Sequence, residues 1–384
     1  MQIQLEKTLD VEVVEGQLAE LWKQISGEGT LEDDVAVLRA RVANLLVFVA
    51  NAELLDEAHQ MMLELTTIHP SRVLMMLGAR DAPDLDIEMS VESFCQTDKR
   101  SGARRLSCEE VTLRAQGSFV AELPSAALPL LVSDLSTFLW WRDVVETSDK
   151  VLVNLLRAAD RLVIDSAEFE DTQHDLVEID RLFAEGHSRH VGISDLNWAR
   201  LTFWRGLLAD FYDVPVNQKW LDNIDLVRID YVGPERAPEK VAPQAFLIAG
   251  WLASRLQWKL ADEQQTQKNS QTTSFNFRSR SKDDRDIKLE LNRVERGERK
   301  PGRLVEVELR ANAEIPASFR VARSADNLHL LTEAKLGSNT QRGRVLPVRN
   351  RSAAQLLSRE VEILCNDQIY QEAVAMAARM IAAK

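Results

Sequence analysis

The sequence predicts an α/β domain with a mixed, mostly parallel, doubly wound sheet, followed by an α+β domain with an antiparallel sheet. Three observations carry this. Residues 44–49 (Asn-Leu-Leu-Val-Phe-Val) are a short continuous apolar run, the pattern of a strand buried on both faces, and 71–77 are a second candidate for such a strand. A helical stretch separates them, and the alternation of strand and helix continues to about residue 186, as in a parallel sheet with crossover helices. From residue 286 onward, short alternating segments broken at Gly or Asn replace that pattern. At 384 residues the chain is long enough for two domains. The change in character places them at 1–192 and 193–384.

Taken in order, residues 11–26 carry apolar positions Val13, Val14, Leu18, Leu21, Trp22 and Ile25 at helical spacing. Gly27-Glu28-Gly29-Thr30 ends that helix, and 31–42 read as helix or turn. Strand 44–49, helix 51–65 and strand 71–77 follow, with His69-Pro70 in the loop because the residue before Pro avoids the helical region. Residues 85–95 and 108–115 alternate and read as an antiparallel hairpin, with a basic tip between them. Helix 120–131, strand 137–141, helix 148–158, strand 162–165 and helix 172–186 complete the first domain. In the second, 197–212 read as one amphipathic helix, 224–232 as a strand and 242–260 as a long helix. Segment 261–282 is rich in Gln, Ser, Thr and Asn, a loop composition, although Phe275 and Phe277 suggest an edge strand at its end. Residues 286–294, 303–310, 317–324 and 328–334 form an antiparallel meander, and helical sequence from 352 to 383 breaks near Asn366-Asp367.

Composition narrows the function classes. Hydrophobic content is 45% and charged content 28%, ordinary for a soluble globular protein. No apolar run approaches the roughly 20 residues needed to cross a bilayer, so no membrane partner is expected. The first residues lack a basic segment followed by an apolar core, and three widely spaced cysteines are no disulfide framework. A cytoplasmic protein is the expectation. Net charge is −13, yet residues 255–351 hold 21 Lys/Arg against 13 Asp/Glu, a local +8 that leaves −21 elsewhere. An acidic body argues against nucleic acid. The basic section reads either as a docking face for an acidic protein or as a solvated sheet surface.

No motif assigns catalysis. A dinucleotide site needs three glycines between a buried strand and a helix. Gly27-Glu28-Gly29 follows a helix and lacks the third, so no cofactor is expected. There is no Gly-rich Lys-Ser/Thr loop and no Gly-x-Ser-x-Gly elbow. His187 and His190 would need a third ligand from Asp180, Glu185 or Asp195 to hold zinc, and no metal is assigned. Cys95 and Cys108 would face each other at the hairpin neck if it turns about Ser101-Gly102, at a separation compatible with a disulfide. The plainer reading is two half-buried thiols.

Two clusters stand out as candidate sites. Asp165-Ser166 follows a buried strand at the carboxyl end of the sheet, where open α/β sheets hold ligands. His69, Arg72, Asp134, Trp141 and Arg142 are placed on the same edge, where an Arg could grip a sugar phosphate. The structural alternative is that Asp165 caps a helix and pairs with an Arg. In helix 197–212, Trp198, Arg200, Trp204 and Arg205 are of the types that anchor protein interfaces, while Trp198 and Trp204 would also suit a core.

Several stretches together carry a resemblance: Leu-Pro-Leu-Leu-Val-Ser-Asp-Leu-Ser-Thr-Phe-Leu-Trp-Trp-Arg-Asp at 128–143, Ala-Asp-Arg-Leu-Val-Ile-Asp-Ser-Ala at 159–167, and Asp-Leu-Asn-Trp-Ala-Arg-Leu-Thr-Phe-Trp-Arg-Gly-Leu-Leu-Ala-Asp-Phe-Tyr-Asp at 195–213. With His69-Pro70-Ser71-Arg72, Cys108-Glu109-Glu110 and Asp367-Gln368-Ile369-Tyr370-Gln371-Glu372-Ala373, the chain resembles the OpcA family of glucose-6-phosphate dehydrogenase assembly proteins. The resemblance implies a non-catalytic activator whose partner is that dehydrogenase, acting at the entry to the oxidative pentose phosphate pathway. It also implies a link to thiol regulation, known for members in photosynthetic bacteria, which bears on Cys95 and Cys108. The alternative is a sugar-phosphate sensor or small-molecule enzyme using the carboxyl edge of the first sheet.

Overall fold

The two doubly buried apolar runs lie side by side inside an eight-stranded sheet. The computed structural model describes residues 2–5, 11–27, 41–97, 104–184, 191–235, 237–261, 271–279, 285–348, 351–363 and 366–383. The segment expected as helix or turn at 31–42 falls largely outside these residues. So do the hairpin tip, the His187/His190 pair and much of 261–282.

In chain order the first elements are β1 (Gln2–Leu5), α1 (Val11–Gly27), β2 (Ala43–Val49), α2 (Ala52–Thr66), β3 (Ser71–Ala79), β4 (Leu85–Thr97) and β5 (Arg104–Gln116). Next come α3 (Leu123–Ala127), β6 (Thr137–Arg142), α4 (Lys150–Leu156), β7 (Arg161–Ile164), α5 (Thr172–Ala184) and β8 (Gly192–Asp195). The sheet order is β1-β4-β5-β3-β2-β6-β7-β8. β5, β3, β2, β6 and β7 run parallel; β4 pairs antiparallel with β5, and β1 pairs antiparallel with β4. The run β5-β3-β2-β6-β7-β8 follows the doubly wound order 3-2-1-4-5-6, with its topological switch between β2 and β6. Every residue of β2 is buried, which is why its sequence is apolar without alternation. α2 begins at Asn51, whose side chain accepts the Leu54 N–H, and buries Leu55, Ala58, Met62 and Leu65 at helical spacing.

The second sheet involves α6 (Leu196–Arg200), α7 (Thr202–Asp210), α8 (Pro215–Gln218), β9 (Ile224–Val232), α9 (Pro243–Arg255), β10 (Lys259–Leu260), β11 (Thr272–Arg278) and β12 (Asp286–Val294). β13 (Leu304–Ala311), β14 (Ala317–Arg323), β15 (His329–Leu336) and β16 (Asn339–Pro347) follow, and the last helices are α10 (Ala353–Glu362) and α11 (Gln368–Ala382). Its order is β10-β11-β12-β9-β13-β14-β15-β16, antiparallel except for β12 against β9. Ile287, Leu289 and Leu291 of β12 alternate with polar residues and point into the core with Phe275, Phe277 and Phe319. α9 lies so close to α11 that a Cβ on Gly250 would overlap the Ala373 carbonyl oxygen; only glycine permits this approach.

Three expectations change. The chain does not divide at a single point near residue 192. One compact unit comprises 1–164, 184–194 and 351–366, and the other 165–183, 195–350 and 367–384. The C-terminal segment returns to the first unit because the His69 ring bonds the Ser358 hydroxyl at 2.8 Å and Ser352 bonds Glu64 at 3.3 Å. The helix expected over 197–212 breaks at Leu201 into α6 and α7. The long helix ends at Arg255, where Gln257 takes a left-handed φ of 55°, so Trp258 lies beyond it.

Candidate functional site

Strand direction splits the cluster expected at one edge of the first sheet. Arg72 begins β3, in register with Asn44 of β2 and Glu109 of β5, so it lies at the amino edge. His69 precedes β3, and Asp134 lies in the loop before β6, with a left-handed φ of 65°. Trp141 and Arg142 end β6, and Asp165 and Ser166 follow the end of β7. At roughly 3.3 Å per residue, the two edges are about 20 Å apart.

Of the amino-edge group, Arg72 and His69 are occupied, and Asp134 is exposed. Arg72, 1% exposed, pairs with Glu109 at 2.9 Å and with Glu15, and donates to the Leu130 carbonyl at 3.1 Å. His69 faces Ser358 and Glu362, at 2.8 and 3.7 Å. At the other edge Trp141 is core. Its ring stacks on Phe48 at 4.2 Å and its indole N–H donates to the Val144 carbonyl at 3.0 Å. Arg142 is held by Glu57 at 2.6 Å and lies over the Trp140 ring.

At the topological switch of the first sheet lies a cleft of about 660 Å³, where a doubly wound fold would place a nucleotide. Its lining includes Ala50, Asp81, Asp143, Glu146 and Asp149. Arg80, its cation, is already paired with Asp143 and, at 2.5 Å, with Asp149. The turn from β2 into α2 is Ala50-Asn51-Ala52, with no glycine to let the backbone approach a pyrophosphate. These residues do not fit a dinucleotide. Among the described residues no cluster of three or more His, Cys, Asp or Glu suits a metal ion, and no helix is long and apolar enough to cross a membrane.

The second unit contains a connected polar network. The Asp165 carboxylate accepts the Ala167 N–H, capping a short 3-10 turn over Ser166–Glu168, and takes both arms of Arg200 at 2.6 and 2.7 Å. It is thus both cap and ion-pair partner, the structural alternative open in the sequence. Asp195 caps α6, accepting the Ser166 and Asn197 N–H groups at 3.0 and 2.8 Å. The Asn197 amide donates to the Ser166 hydroxyl, Gln244 donates to the Asn197 oxygen at 2.7 Å, and the Gln244 oxygen accepts the Leu304 N–H at 3.1 Å. Arg323 donates to the Leu304 and Asn327 carbonyls. Trp198 donates to Asp367 at 2.8 Å, and Arg205 lies 3.5 Å above its ring.

Burial pushes the Asp195 carboxyl up to about 6, and the nearby Asp165 charge adds to the rise. Burial likewise pushes the guanidinium of Arg303 down to about 10, and repulsion from Arg200 works in the same direction. Arg205 is pushed down to about 10 by burial. A carboxyl with a raised folded value contributes stability that is present below its unfolded value and lost as pH rises through its folded value. Asp195 therefore weakens the fold as pH rises from about 3.8 to about 6. A shift of this size corresponds to about 2–3 kcal/mol. Asn at 195 would keep an oxygen for both N–H groups without the charge. The expected result is that Asp195→Asn is the more stable protein at pH 7.5, by up to that amount, and loses the advantage at pH 4. Urea midpoints at the two pH values check this; an unchanged difference between them would contradict it.

Trp204 is 2% exposed and belongs to the core, which corrects its placement as an interface anchor. Arg205 remains half-buried. The hairpin register pairs Cys108 with Phe94 and Cys95 with Leu106, because a bulge intervenes between Phe94 and Cys95. The two cysteines are therefore not directly opposed as a symmetric turn would have placed them. The sequence reading missed Gln244, Arg303 and Arg323. Gln244 had a signal, being the polar residue in the apolar start of α9, Pro-Gln-Ala-Phe-Leu-Ile-Ala. Arg303 and Arg323 had none, since Arg in an alternating strand normally faces water.

Two family models match the chain in order. Residues 63–181 match the glucose-6-phosphate dehydrogenase subunit N-terminal domain, and residues 191–374 match the C-terminal domain of the same subunit. The chain belongs to the OpcA family. The putative OxPP cycle protein OpcA of Nostoc punctiforme is 30% identical over 229 residues, 59% of this chain and 46% of that protein. Its counterpart in Synechococcus elongatus is 26% identical over 320 residues, 82% of this chain and 68% of the relative. The chain therefore spans less than half of the Nostoc relative. Among solved structures, glucose-6-phosphate 1-dehydrogenase of Mycobacterium avium superposes with a TM-score of 0.53 at 11% identity, covering 90% of this chain and 93% of that one. That likeness is one of fold alone. OpcA-family membership thus coincides with a doubly wound sheet whose switch-point cleft is lined with carboxylates.

Proposed function

We propose that this chain is a non-catalytic assembly factor and allosteric activator of glucose-6-phosphate dehydrogenase, acting in the cytoplasm at the oxidative entry of the pentose phosphate cycle. The observation that carries the reading is the switch-point cleft. A pyrophosphate there would meet Asp81, Asp143, Glu146 and Asp149, with Arg80 already committed to two of them. Both family models bear the description of a dehydrogenase subunit, which supports the choice of partner. The mechanism is selective binding. A protein that binds only the competent oligomer draws the population toward it, and a coupling of about 1–3 kcal/mol changes apparent affinity roughly 5- to 150-fold. Arg205, half-buried, remains the candidate anchor on the second unit, whereas Trp198 is buried like Trp204. A sugar phosphate bound at the carboxyl edge of the first sheet would meet the same carboxylates, so that alternative has less support.

The chain alone, given glucose 6-phosphate and either nicotinamide cofactor, is expected to produce no reduced cofactor. Mixed at micromolar concentration with the dehydrogenase of its own organism, it is expected to co-elute in size-exclusion chromatography. Turnover by the chain alone, or separate elution, would contradict the proposal.

A further inference from the structure

We propose that the open face of the second sheet joins two copies of this chain in a dimer of two-fold symmetry. One face of that sheet is closed by aromatic contacts, Phe246 of α9 against Phe275 and Phe211, just after α7, against Phe319. The opposite face carries a row of register partners. Glu290 of β12 pairs with Arg228 of β9, Arg228 with Glu308 of β13, and Glu308 with Arg320 of β14. Arg320 pairs in turn with Glu333 of β15, and Glu333 with Arg342 of β16. Acid and base thus alternate across six strands. Ion pairs within the sheet hold these charges in place: Arg228 with Glu290 at 3.4 Å, Lys288 with Glu290 at 2.8 Å, Arg310 with Glu308 at 2.9 Å, and Arg320 with Glu306. Exposed pairs of this kind add little stability by themselves. The row is neutral in a chain of net charge −13, so two copies can meet there with less repulsion than elsewhere.

An alternating row is complementary to its own reverse. A two-fold axis along the strands, between β9 and β13, sets Arg228 over Glu308 of the second copy and Glu290 over Arg320 of the second copy, and each contact occurs twice. In the flanking rows Leu226 meets Arg310, Lys288 meets Ser318, Asn292 meets Ala322 and Thr272 meets Leu331. The one like-charged opposition in these three rows is Asp230 with Glu306, and the Asn292 amide already donates to Asp230 at 3.0 Å. A cleft of about 560 Å³ opens on this face among Arg228, Ser274, Lys288, Glu290 and Asn292, where Arg320 of the second copy enters. Beside the row, Leu331 is 36% exposed and its register partner Val345 61%, an apolar corner for a second copy to cover. The face spans seven strands, β11 to β16 with β9, each seven to nine residues long. At about 4.8 Å between strands and about 3.3 Å per residue it offers roughly 800 Å² per copy, the size of a specific interface. The apolar area supplies attraction and the charge pattern fixes the register. The inference does not depend on the activator reading, since it concerns the chain alone.

The test is sedimentation velocity of the full chain at about 10 µM, above the weakest affinity common for an interface of this size. The wild type is expected at twice the mass of the chain. Arg228→Glu and Glu308→Arg should each sediment as monomers, with dimer affinity reduced roughly a hundredfold or more, because each places two like-charged pairs across the axis. Their equimolar mixture should restore the dimer. The introduced Glu then meets the introduced Arg, and the native Glu308 of one chain meets the native Arg228 of the other. Repulsion inside each variant is unchanged by mixing, so a role confined to one chain predicts no rescue. Glu290→Arg and Arg320→Glu form a second pair for the same test, should either of the first two fail to fold. A wild type that sediments as a monomer overturns the proposal, whether or not the variants fold. Variants that remain dimers alone, or mixtures that stay monomeric, overturn it as well.

Discussion

Asp165→Ala is expected to destabilise the protein by about 3–5 kcal/mol, the loss seen when one partner of a buried ion pair is removed. Arg200 would lose both of its short contacts while remaining largely buried, at 15% exposure. The cap on the Ser166–Glu168 turn would go as well. Asp195, freed of its negative neighbour, would ionise more readily and pair in part with Arg200, which holds the loss toward the lower figure. Asp165→Asn keeps an acceptor for the cap and should cost less. Urea unfolding of both variants at pH 7.5 checks this. Two variants equal to the wild type would mean that Asp165 and Arg200 form no working pair in solution.

Trp204→Ala is the second large effect. The ring is buried on α7, beneath Arg323, whose guanidinium lies 6.0 Å from its centroid. Emptying a site of that volume costs about 3–5 kcal/mol. Arg205→Ala removes a half-buried side chain that donates to the Thr202 hydroxyl at 3.3 Å, lies over the Trp198 ring and, among the described residues, leaves its Nε without an acceptor. That variant should lose less than about 1 kcal/mol. Calorimetry of the pair separates core from surface. Equal, small losses would return Trp204 to the surface.

The centre of the first sheet was legible because burial on both faces writes itself as an apolar run, as in β2 and β3. The meander was legible because burial on one face writes itself as alternation, as in β12 and β14. β16 was missed for the converse reason. Asn339–Pro347 is exposed over nearly its whole length and carries neither pattern. β8 is four residues long, too short for any period to show. The split of 197–212 at Leu201 leaves the apolar spacing intact, so periodicity could not reveal it. The site was legible only locally. Asp165 could be read as a cap, but its partner Arg200 lies 35 residues away. Gln244 meets Leu304 across 60 residues. A single sequence records such contacts nowhere. Grouping Arg72 with Asp165 failed on strand direction: a residue that opens a parallel strand and one that follows a strand lie at opposite edges of the sheet.

The most direct test of the activator reading is the KM of the same organism's dehydrogenase for glucose 6-phosphate, measured while this chain is titrated to excess. The account predicts a saturable fall in KM of roughly fivefold or more, complete at a fixed ratio of the two proteins. A KM and a kcat that stay constant throughout the titration would contradict it.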